Sequence, residues 1–430
     1  FPVKHDAGRG NVRSMLADLN GDGLADFLMH TGYSTASVST SGTPLDPLSM
    51  RAFLSNGSGV NAFFFGRYSG RASPYGYVPN FLGIADVNGD GRPDIVYRRD
   101  SGVTDTIAMT TAATGQSNLL ASVTTPSGSI TQISYTPSSQ FAQADLPFVS
   151  QVVTRLRVSD GRGQWRQTDF TYVNGRFDHH WRKPLGFQTV RATLPSIPGE
   201  STRPELVRIY RNTNAAEQGL LVSETYMVGT TTHRRNINTW DVSTQRPFRR
   251  FKTAERSAES YGGTLIETGR SFTYTTYGEH ETVTELGFTN NGANRFAFDD
   301  VVTNYAYAPN TAAYIVNRPW RKIVHHGPLN WNDKTTFLSL EYFKYDNVAN
   351  ADNSSQPLQG NLTEVRAWTG NPANLNQRVE RQFSYDARGN LILERDARGA
   401  AAATPYGTAH QYDTQRYLFR TRTTNPLGHQ

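Results

Sequence analysis

Two stretches of the chain repeat one spacing of oxygen-bearing side chains, D-x-N-x-D-G-x-x-D. They are Asp18-Leu-Asn20-Gly-Asp22-Gly-Leu-Ala-Asp26 and Asp86-Val-Asn88-Gly-Asp90-Gly-Arg-Pro-Asp94. Side-chain oxygens at the first, third, fifth and ninth positions can converge on one hard cation such as Ca2+, which takes about six to eight oxygen ligands. These are Asp18, Asn20, Asp22 and Asp26 in one copy, and Asp86, Asn88, Asp90 and Asp94 in the other. The seventh residues, Leu24 and Arg92, would add a backbone carbonyl. Glycine at the sixth position permits the sharp turn that folds such oxygens inward. The alternative is a pair of acidic β-turns that hold no metal, because Asn, Asp and Gly are also ordinary turn residues.

The elements around these loops must be strands. An EF-hand opens with the same letters but needs a bidentate Glu at the twelfth position and a helix on each side. Here the twelfth residues are Met29 and Tyr97. The flanks Phe81-Leu-Gly-Ile-Ala and Ile95-Val-Tyr97 are short apolar or β-branched runs bounded by turn residues, the pattern of strands. After the first loop, Arg51-Ala-Phe-Leu-Ser-Asn-Gly-Ser-Gly59 reads as a strand ending in a glycine turn.

A calcium hairpin followed by a strand and an N-G-x-G turn resembles the FG-GAP or VCBS repeat of integrin-like β-propellers, in which each copy is one blade. The spacing between the copies exceeds a blade of about 40 to 50 residues. The Ser/Thr/Gly-rich stretch from Thr31 to Thr43 accommodates the excess. Two blades cannot close a ring, since propellers use about four to eight. The resemblance therefore implies that residues 1–110 are the end of a propeller whose earlier blades lie upstream.

Composition agrees with a large extracellular β protein. Tyr (21), Phe (22) and Trp (6), alongside 37 Gly, favour strands and turns over helices. With no cysteine there is no disulfide, zinc-thiolate site or thiol nucleophile. No apolar run approaches the roughly 18 residues of a membrane span. The net charge of +6 is small for 430 residues, and the pairs Arg234-Arg235 and Arg249-Arg250 are isolated, which argues against a nucleic-acid surface.

The segment from about 111 to 265 reads as an antiparallel meander. In Gln151-Val-Val-Thr-Arg-Leu-Arg-Val-Ser159, Val152, Leu156 and Val158 share one face and Arg155 and Arg157 the other. Asp160-Gly-Arg-Gly163 turns the chain, Phe170 and Tyr172 share a face of the next strand, and Asn174-Gly175 is expected to make a second turn. A second resemblance lies here. Asn118-Leu-Leu-Ala-Ser-Val, Ile133-Ser-Tyr-Thr-Pro-Ser-Ser, Leu146-Pro-Phe-Val, Val158-Ser-Asp-Gly-Arg-Gly and Pro184-Leu-Gly-Phe-Gln look like the middle region of the B component of bacterial insecticidal toxin complexes, the Tc toxins. That family places this region between an FG-GAP-type propeller and a shell of YD repeats.

The segment from 266 to 430 carries a third resemblance. Phe383-Ser-Tyr-Asp386-Ala-Arg-Gly389-Asn-Leu-Ile-Leu-Glu-Arg-Asp396-Ala-Arg-Gly399 resembles the YD or RHS repeat, Y-D-x-x-G-N-L followed by a strand and a D-x-x-G turn. Val379, Arg381, Phe383 and Tyr385 share one strand face, 386–389 forms the turn, and the return strand starts at Leu391. Degenerate copies run from Tyr345-Asp346 to Gly360-Asn-Leu-Thr-Glu364 and from His410-Gln-Tyr-Asp413 to Asn425-Pro-Leu-Gly428. Hairpins stacked in this way form a long sheet whose neighbouring aromatics pack as ladders.

Catalytic signals are thin. The pairs His179-His180 and His325-His326 are adjacent, so on a strand they face opposite sides and do not share a metal. No G-x-S-x-G elbow, H-E-x-x-H or phosphate loop occurs. The expected protein is all-β and non-enzymatic: a partial FG-GAP-type propeller, an antiparallel meander, and the start of a YD-repeat shell. The resemblances imply a secreted or cell-surface bacterial toxin segment that encloses a C-terminal toxic polypeptide and docks a pore-forming translocation subunit. One alternative is a calcium-binding surface adhesion protein. Another is a wall-associated carbohydrate binder using Trp165, Trp181 and Trp368, although buried strand positions are the expected role of these tryptophans.

Overall fold

The structure, a computed structural model, describes residues 13–18, 25–30, 49–55, 60–67, 80–100, 105–110, 119–141, 146–196, 199, 201–290, 293–294, 299–347 and 356–430. Strands dominate. Among the described residues the helical elements are two 3-10 turns, Ser138–Gln140 and Lys334–Thr336, and the short α-helix Ala397–Ala401. The chain folds as two compact units, Phe1–Pro204 and Glu205–Gln430, a division that falls inside the 111–265 sequence segment.

The first unit holds three antiparallel sheets. Strands β1 (Arg13–Ala17), β2 (Asp26–His30), β3 (Ser49–Ser55) and β4 (Val60–Arg67) form a four-stranded meander. Strands β5 (Asn80–Ala85), β6 (Asp94–Asp100) and β7 (Asp105–Thr110) form a three-stranded one. Each D-x-N-x-D-G-x-x-D stretch joins a paired hairpin, with Ala17 opposite Asp26 in one and Ala85 opposite Asp94 in the other. The strand reading of the flanks is therefore right. The third ladder runs in chain order through β8 (Ser122–Thr124), β9 (Ile130–Pro137), β10 (Gln151–Ser159), β11 (Trp165–Asp178) and β12 (Lys183–Thr193).

Two expectations fail in this ladder. Asn174-Gly175 does not turn the chain: the 14-residue β11 runs through it to Asp178, and the reversal comes at 179–182. The glycine serves close packing instead, since a Cβ there would stand 2.9 Å from Phe187 Cε1 and 3.2 Å from Leu146 Cδ1. The true turn is held by Asp178, whose Oδ1 accepts the amides of His180 and Trp181 at 3.0 Å each. Second, Val158 is exposed and Ser159 buried, whereas Arg155 and Arg157 are exposed as expected. The Ser159 hydroxyl accepts from Gly161 N at 3.1 Å and its carbonyl from Ser129 Oγ at 2.6 Å, so turn bonding overrides the alternation at the strand end.

The second unit is one long meander in chain order. Its strands are β13 (Pro204–Arg211), β14 (Leu220–Val228), β15 (Thr231–Val242), β16 (Arg250–Tyr261), β17 (Thr264–Tyr274), β18 (His280–Asn290), β19 (Ala293–Asn294), β20 (Val301–Tyr307), β21 (Pro319–His326), β22 (Phe337–Tyr345), β23 (Leu362–Trp368), β24 (Arg378–Tyr385), β25 (Leu391–Arg395), β26 (Thr408–Tyr412) and β27 (Arg420–Thr424). The order departs from simple neighbour pairing where β18 bonds both the two-residue β19 and β20. Its core is a small cluster of Ile323, Phe337 and Leu340, against which Tyr342 and Trp368 pack. Full burial of Ile323 and Leu340 is worth about 1.5 to 3 kcal/mol each. Aromatic rings also stack across strands, Phe251 on Tyr274 at 4.6 Å between centroids and Tyr274 on His280 at 4.8 Å.

Candidate metal site

The described loop, 86–94, is built by its own backbone. Gly89 and Gly91 adopt φ of 71° and 84°, the left-handed region open to glycine, which reverses the chain between β5 and β6. Loop amides then point at loop oxygens: Asp90 N donates to Asp86 Oδ1 at 3.0 Å and to Asn88 Oδ1 at 2.9 Å. Gly91 N donates to Asp86 Oδ2 at 2.8 Å, and Arg92 N to Asp90 Oδ1 at 2.9 Å. Asp94 closes the loop from the first residue of β6, where its Oδ2 accepts Val87 N at 2.9 Å and Asn88 N at 3.3 Å.

One oxygen is left over. Asp94 is fully buried, and its Oδ1 has no hydrogen-bond partner. A buried carboxylate oxygen without a partner is costly unless a cation or another donor meets it. The loop also keeps an all-oxygen donor set of three carboxylates, one amide oxygen and the Arg92 carbonyl, the chemistry a hard cation requires. Among the described residues no three His, Cys, Asp or Glu side chains already converge as a metal cluster, so cation binding would draw Asp86 and Asp90 oxygens away from loop amides. On donor chemistry and on the leftover oxygen, the loop fits Ca2+.

The other loop is seen in part. Asn20, Asp22 and Leu24, and the stretch 31–43, lie outside the described residues. Asp18 follows β1, and Asp26 opens β2 fully buried, its Oδ1 accepting Ser55 N at 2.8 Å. The ninth residue of each copy thus occupies the same place, buried at the start of a return strand.

In the hairpin turns the same residue types are spent on backbone amides. Five turns among the described residues share one construction, at 125–129, 160–164, 275–279, 386–390 and 425–429. In each, the first residue's N–H donates to the fifth residue's carbonyl at 2.8 to 3.1 Å, and the fourth residue is a glycine with φ between 83° and 93°. In the turn at 386–390, Asp386 Oδ1 accepts Arg388 N and Asn390 N at 2.9 Å each, and Oδ2 accepts Asn390 Nδ2 at 2.9 Å. These bonds, the Asn390 side chain's first, hold its carboxyl below the usual range.

Two longer turns use aspartate more fully. Asp413 Oδ1 accepts Leu418 N and Phe419 N at 2.9 Å each, and Oδ2 accepts Arg416 N at 2.5 Å and Tyr417 N at 3.1 Å. The amides, led by that of Phe419, hold the Asp413 carboxyl at about 2. Asp346 gathers Leu358 N, Gln359 N and Gly360 N on Oδ2 and Asn361 N on Oδ1, at 2.8 to 2.9 Å. Burial pushes this carboxyl up, yet the amides outweigh it and leave it below the ordinary value.

The tyrosine before each of these two aspartates has a matching role. Tyr345 Oη donates to Pro319 O and Tyr412 Oη to Leu391 O, both at 3.1 Å, so each ties a strand's end to the start of its partner. Tyr274 and Tyr307 do the same to Lys252 O at 2.6 Å and His280 O at 2.9 Å, and in the first unit Tyr172, in mid-strand, donates to Val153 O of the neighbouring strand at 2.6 Å. Sequence reading found the turns at 160 and 386, and placed Asn425-Pro-Leu-Gly428 in a degenerate repeat, but found nothing at 125 and 275, which open with Thr. The signal available was the glycine at the fourth position. The second D-x-x-G of the 383–399 stretch is no turn: Asp396 caps the short helix, its Oδ1 accepting Gly399 N at 2.6 Å.

The remaining candidates pack. His325 is buried and His326 exposed, on opposite faces as expected. His179 and His180 sit in a turn rather than a strand, edge-on to Phe177 and Trp181. Trp165 and Trp181 are 38% and 40% exposed, against the expectation of burial, because Trp165 lies at a strand start under Arg157 and Trp181 at a hairpin tip. Trp368 is half-buried, its Nε1 donating to Asn371 O at 3.1 Å.

Comparison with known proteins agrees with this architecture. Residues 53–214 match the model of the insecticide toxin TcdB middle/N-terminal region. Along 99% of its length the chain superposes on the Photorhabdus luminescens Tc holotoxin pore, with TM-score 0.60 and 13% identity. The fold is Tc toxin-like. A crystal structure of TcdB2-TccC3 without its hypervariable C-terminal region matches 98% of the chain with TM-score 0.59 and 13% identity, and one of TcdB2-TccC3-Cdc42 matches 97% with TM-score 0.57 and 12% identity. The chain spans 30% of the length of each of these structures. Comparison with curated proteins gives no match. No helix among the described residues is long and apolar enough to cross a membrane.

Proposed function

We propose that the chain is a non-enzymatic structural segment of a secreted or surface-displayed Tc or RHS-type bacterial toxin. In this reading β1 to β7 belong to FG-GAP or VCBS propeller blades, each calcium hairpin holding one Ca2+. The meander that follows is the connecting region and the first YD-repeat strands of a shell. The shell encloses a C-terminal toxic polypeptide, and the propeller docks a pore-forming translocation subunit.

The observation that carries this reading is the antiparallel meander from β14 to β27, in which Tyr345, Tyr412 and Asp413 tie hairpin ends. Such a sheet, continued, is a wall, and these residues are engaged in building it. The likeness to structures of a Tc holotoxin pore and of TcdB2-TccC3 supports a partner of the toxin-complex kind. Electron microscopy of the complete natural protein tests the proposal. A hollow particle with density inside and a ring of blades at one end is expected. A solid or extended particle would overturn encapsulation and favour the adhesion protein.

A further inference from the structure

The loop at 86–94 has a second set of contacts that the cation does not need. In its motif the ligands are the four side chains and the seventh carbonyl, which leaves the carbonyls of Gly89 and Asp90 free for other bonds. Both are taken by the neighbouring sheet. Ser139 Oγ donates to Gly89 O, and Gln151 Nε2 donates to Asp90 O at 2.6 Å.

These two donors belong to one socket. Ser138 N donates to Ser150 O at 2.7 Å, Ser150 N returns a bond to Ser138 Oγ at 2.9 Å, and Pro137 stands opposite Gln151 in the register of β9 and β10. The fit is close. A Cβ on Gly89 would lie 3.1 Å from Ser139 Cβ, and one on Gly91 would lie 3.0 Å from Gln151 Nε2 and 3.3 Å from Val149 Cγ1. The loop conformation set by Gly89 and Gly91 is therefore the one that seats its carbonyls in the socket.

We infer that Ca2+ binding at 86–94 and docking of the β5 to β7 sheet on the socket made by 137–139 and 149–151 are coupled, so that calcium fastens this sheet to the first hairpins of the meander. The inference rests on the calcium reading above. An undocked loop would have to be ordered at the expense of binding, whereas the socket orders it in advance. By linkage, the factor by which the socket tightens Ca2+ equals the factor by which Ca2+ tightens docking.

The experiment uses the full chain carrying Asp22→Asn, which silences the first loop, with and without Ser139→Ala and Gln151→Ala. Calcium is titrated by calorimetry, and hydrogen exchange is followed at 137–151. The expected result is a Kd weakened about fivefold or more by the socket substitutions, at the low end of typical couplings. Calcium should also slow exchange at 137–151 in the D22N protein but not after a further Asp90→Asn. Should calcium bind equally tightly without the socket, the coupling is wrong and the calcium reading stands. Should the D22N protein take up no calcium, the calcium reading of this loop falls and the coupling with it. If the double socket variant does not fold, Ser139→Ala alone, at an exposed side chain, decides between the same outcomes.

Discussion

The loop at 86–94 and the turns at 346 and 413 are made from the same few residue types, yet they differ in how their oxygens are used. Asp413 gives both oxygens to four backbone amides, and Asp346 does likewise across 358–361. Asp94 gives one oxygen to two amides and buries the other without a partner. A saturated carboxylate is an internal tie, and an unsaturated buried one has capacity for a ligand. The distinction lies in hydrogen-bond accounting and is invisible in composition.

The sharpest way to break this comparison is to remove one tie. Asp346→Ala leaves four amides without their acceptor and should cost about 3 kcal/mol, since bonds to a charged group are among the stronger ones. Urea unfolding should show this loss equally in calcium and in chelator. A loss that depends on calcium would place Asp346 among ligands.

The converse variant is Asp90→Asn, which keeps an oxygen for the Arg92 amide. In chelator it should change stability by about 0.5 kcal/mol or less. Calcium at a hundredfold excess over Kd should stabilise the parent by about 2.7 kcal/mol for each site, and this variant should lack the share of its own loop. Equal melting temperatures in calcium and chelator for the parent would remove the contrast altogether.

Acid sharpens the comparison further. A carboxyl held below its unfolded value stabilises the fold above that value, and the contribution fades as pH falls through the folded one. Asp413 is held at about 2 by its amides, against 3.8 unperturbed. Asp169 is also held at about 2, where burial is outweighed by bonds from Gln167, Arg155 and Arg203. Stability should therefore decline between about pH 4 and pH 2. Denaturant midpoints across that range should flatten in an Asp413→Asn, Asp169→Asn protein, and an unchanged slope would refute the assignment.

The smallest effect belongs to the tyrosine ties. Tyr345→Phe should cost about 1 kcal/mol through the bond to Pro319 O. Burial pushes the Tyr345 phenol to about 12, so its titration should stay out of reach until strongly alkaline pH, as followed by ultraviolet absorbance. Titration near the ordinary phenol value would show that the ring is not buried as described.

Much of this was legible from residues alone where partners lie within one turn. The 386–390 turn closes over five residues, so its aspartate, its glycine and the return strand at Leu391 are found by spacing. The strand flanks of the candidate metal loops were legible for the same reason. Asn174-Gly175 misled because it carries the hairpin signal while its glycine answers to Phe187 on the adjacent strand. The recurring turn was only half seen, because Thr replaces Asp or Asn at 125 and 275: Thr275 Oγ1 accepts Tyr277 N and Glu279 N at 3.3 Å each, and Thr125 Oγ1 donates to Ser129 O instead.

Sequence by itself determined the local chemistry of this chain: where oxygen-rich loops and glycine turns occur, that strands join them, and that the protein is all-β. These follow from backbone geometry over a few residues, where φ, donor and acceptor are chosen together. Tertiary structure alone decided which carboxylate keeps a spare oxygen, which glycine permits close approach, and which side chains seat the loop. The partners of Gly89 and Asp90 lie 50 and 61 residues away along the chain. At that separation no periodicity links donor to acceptor, and only the folding of one sheet against another brings them within reach.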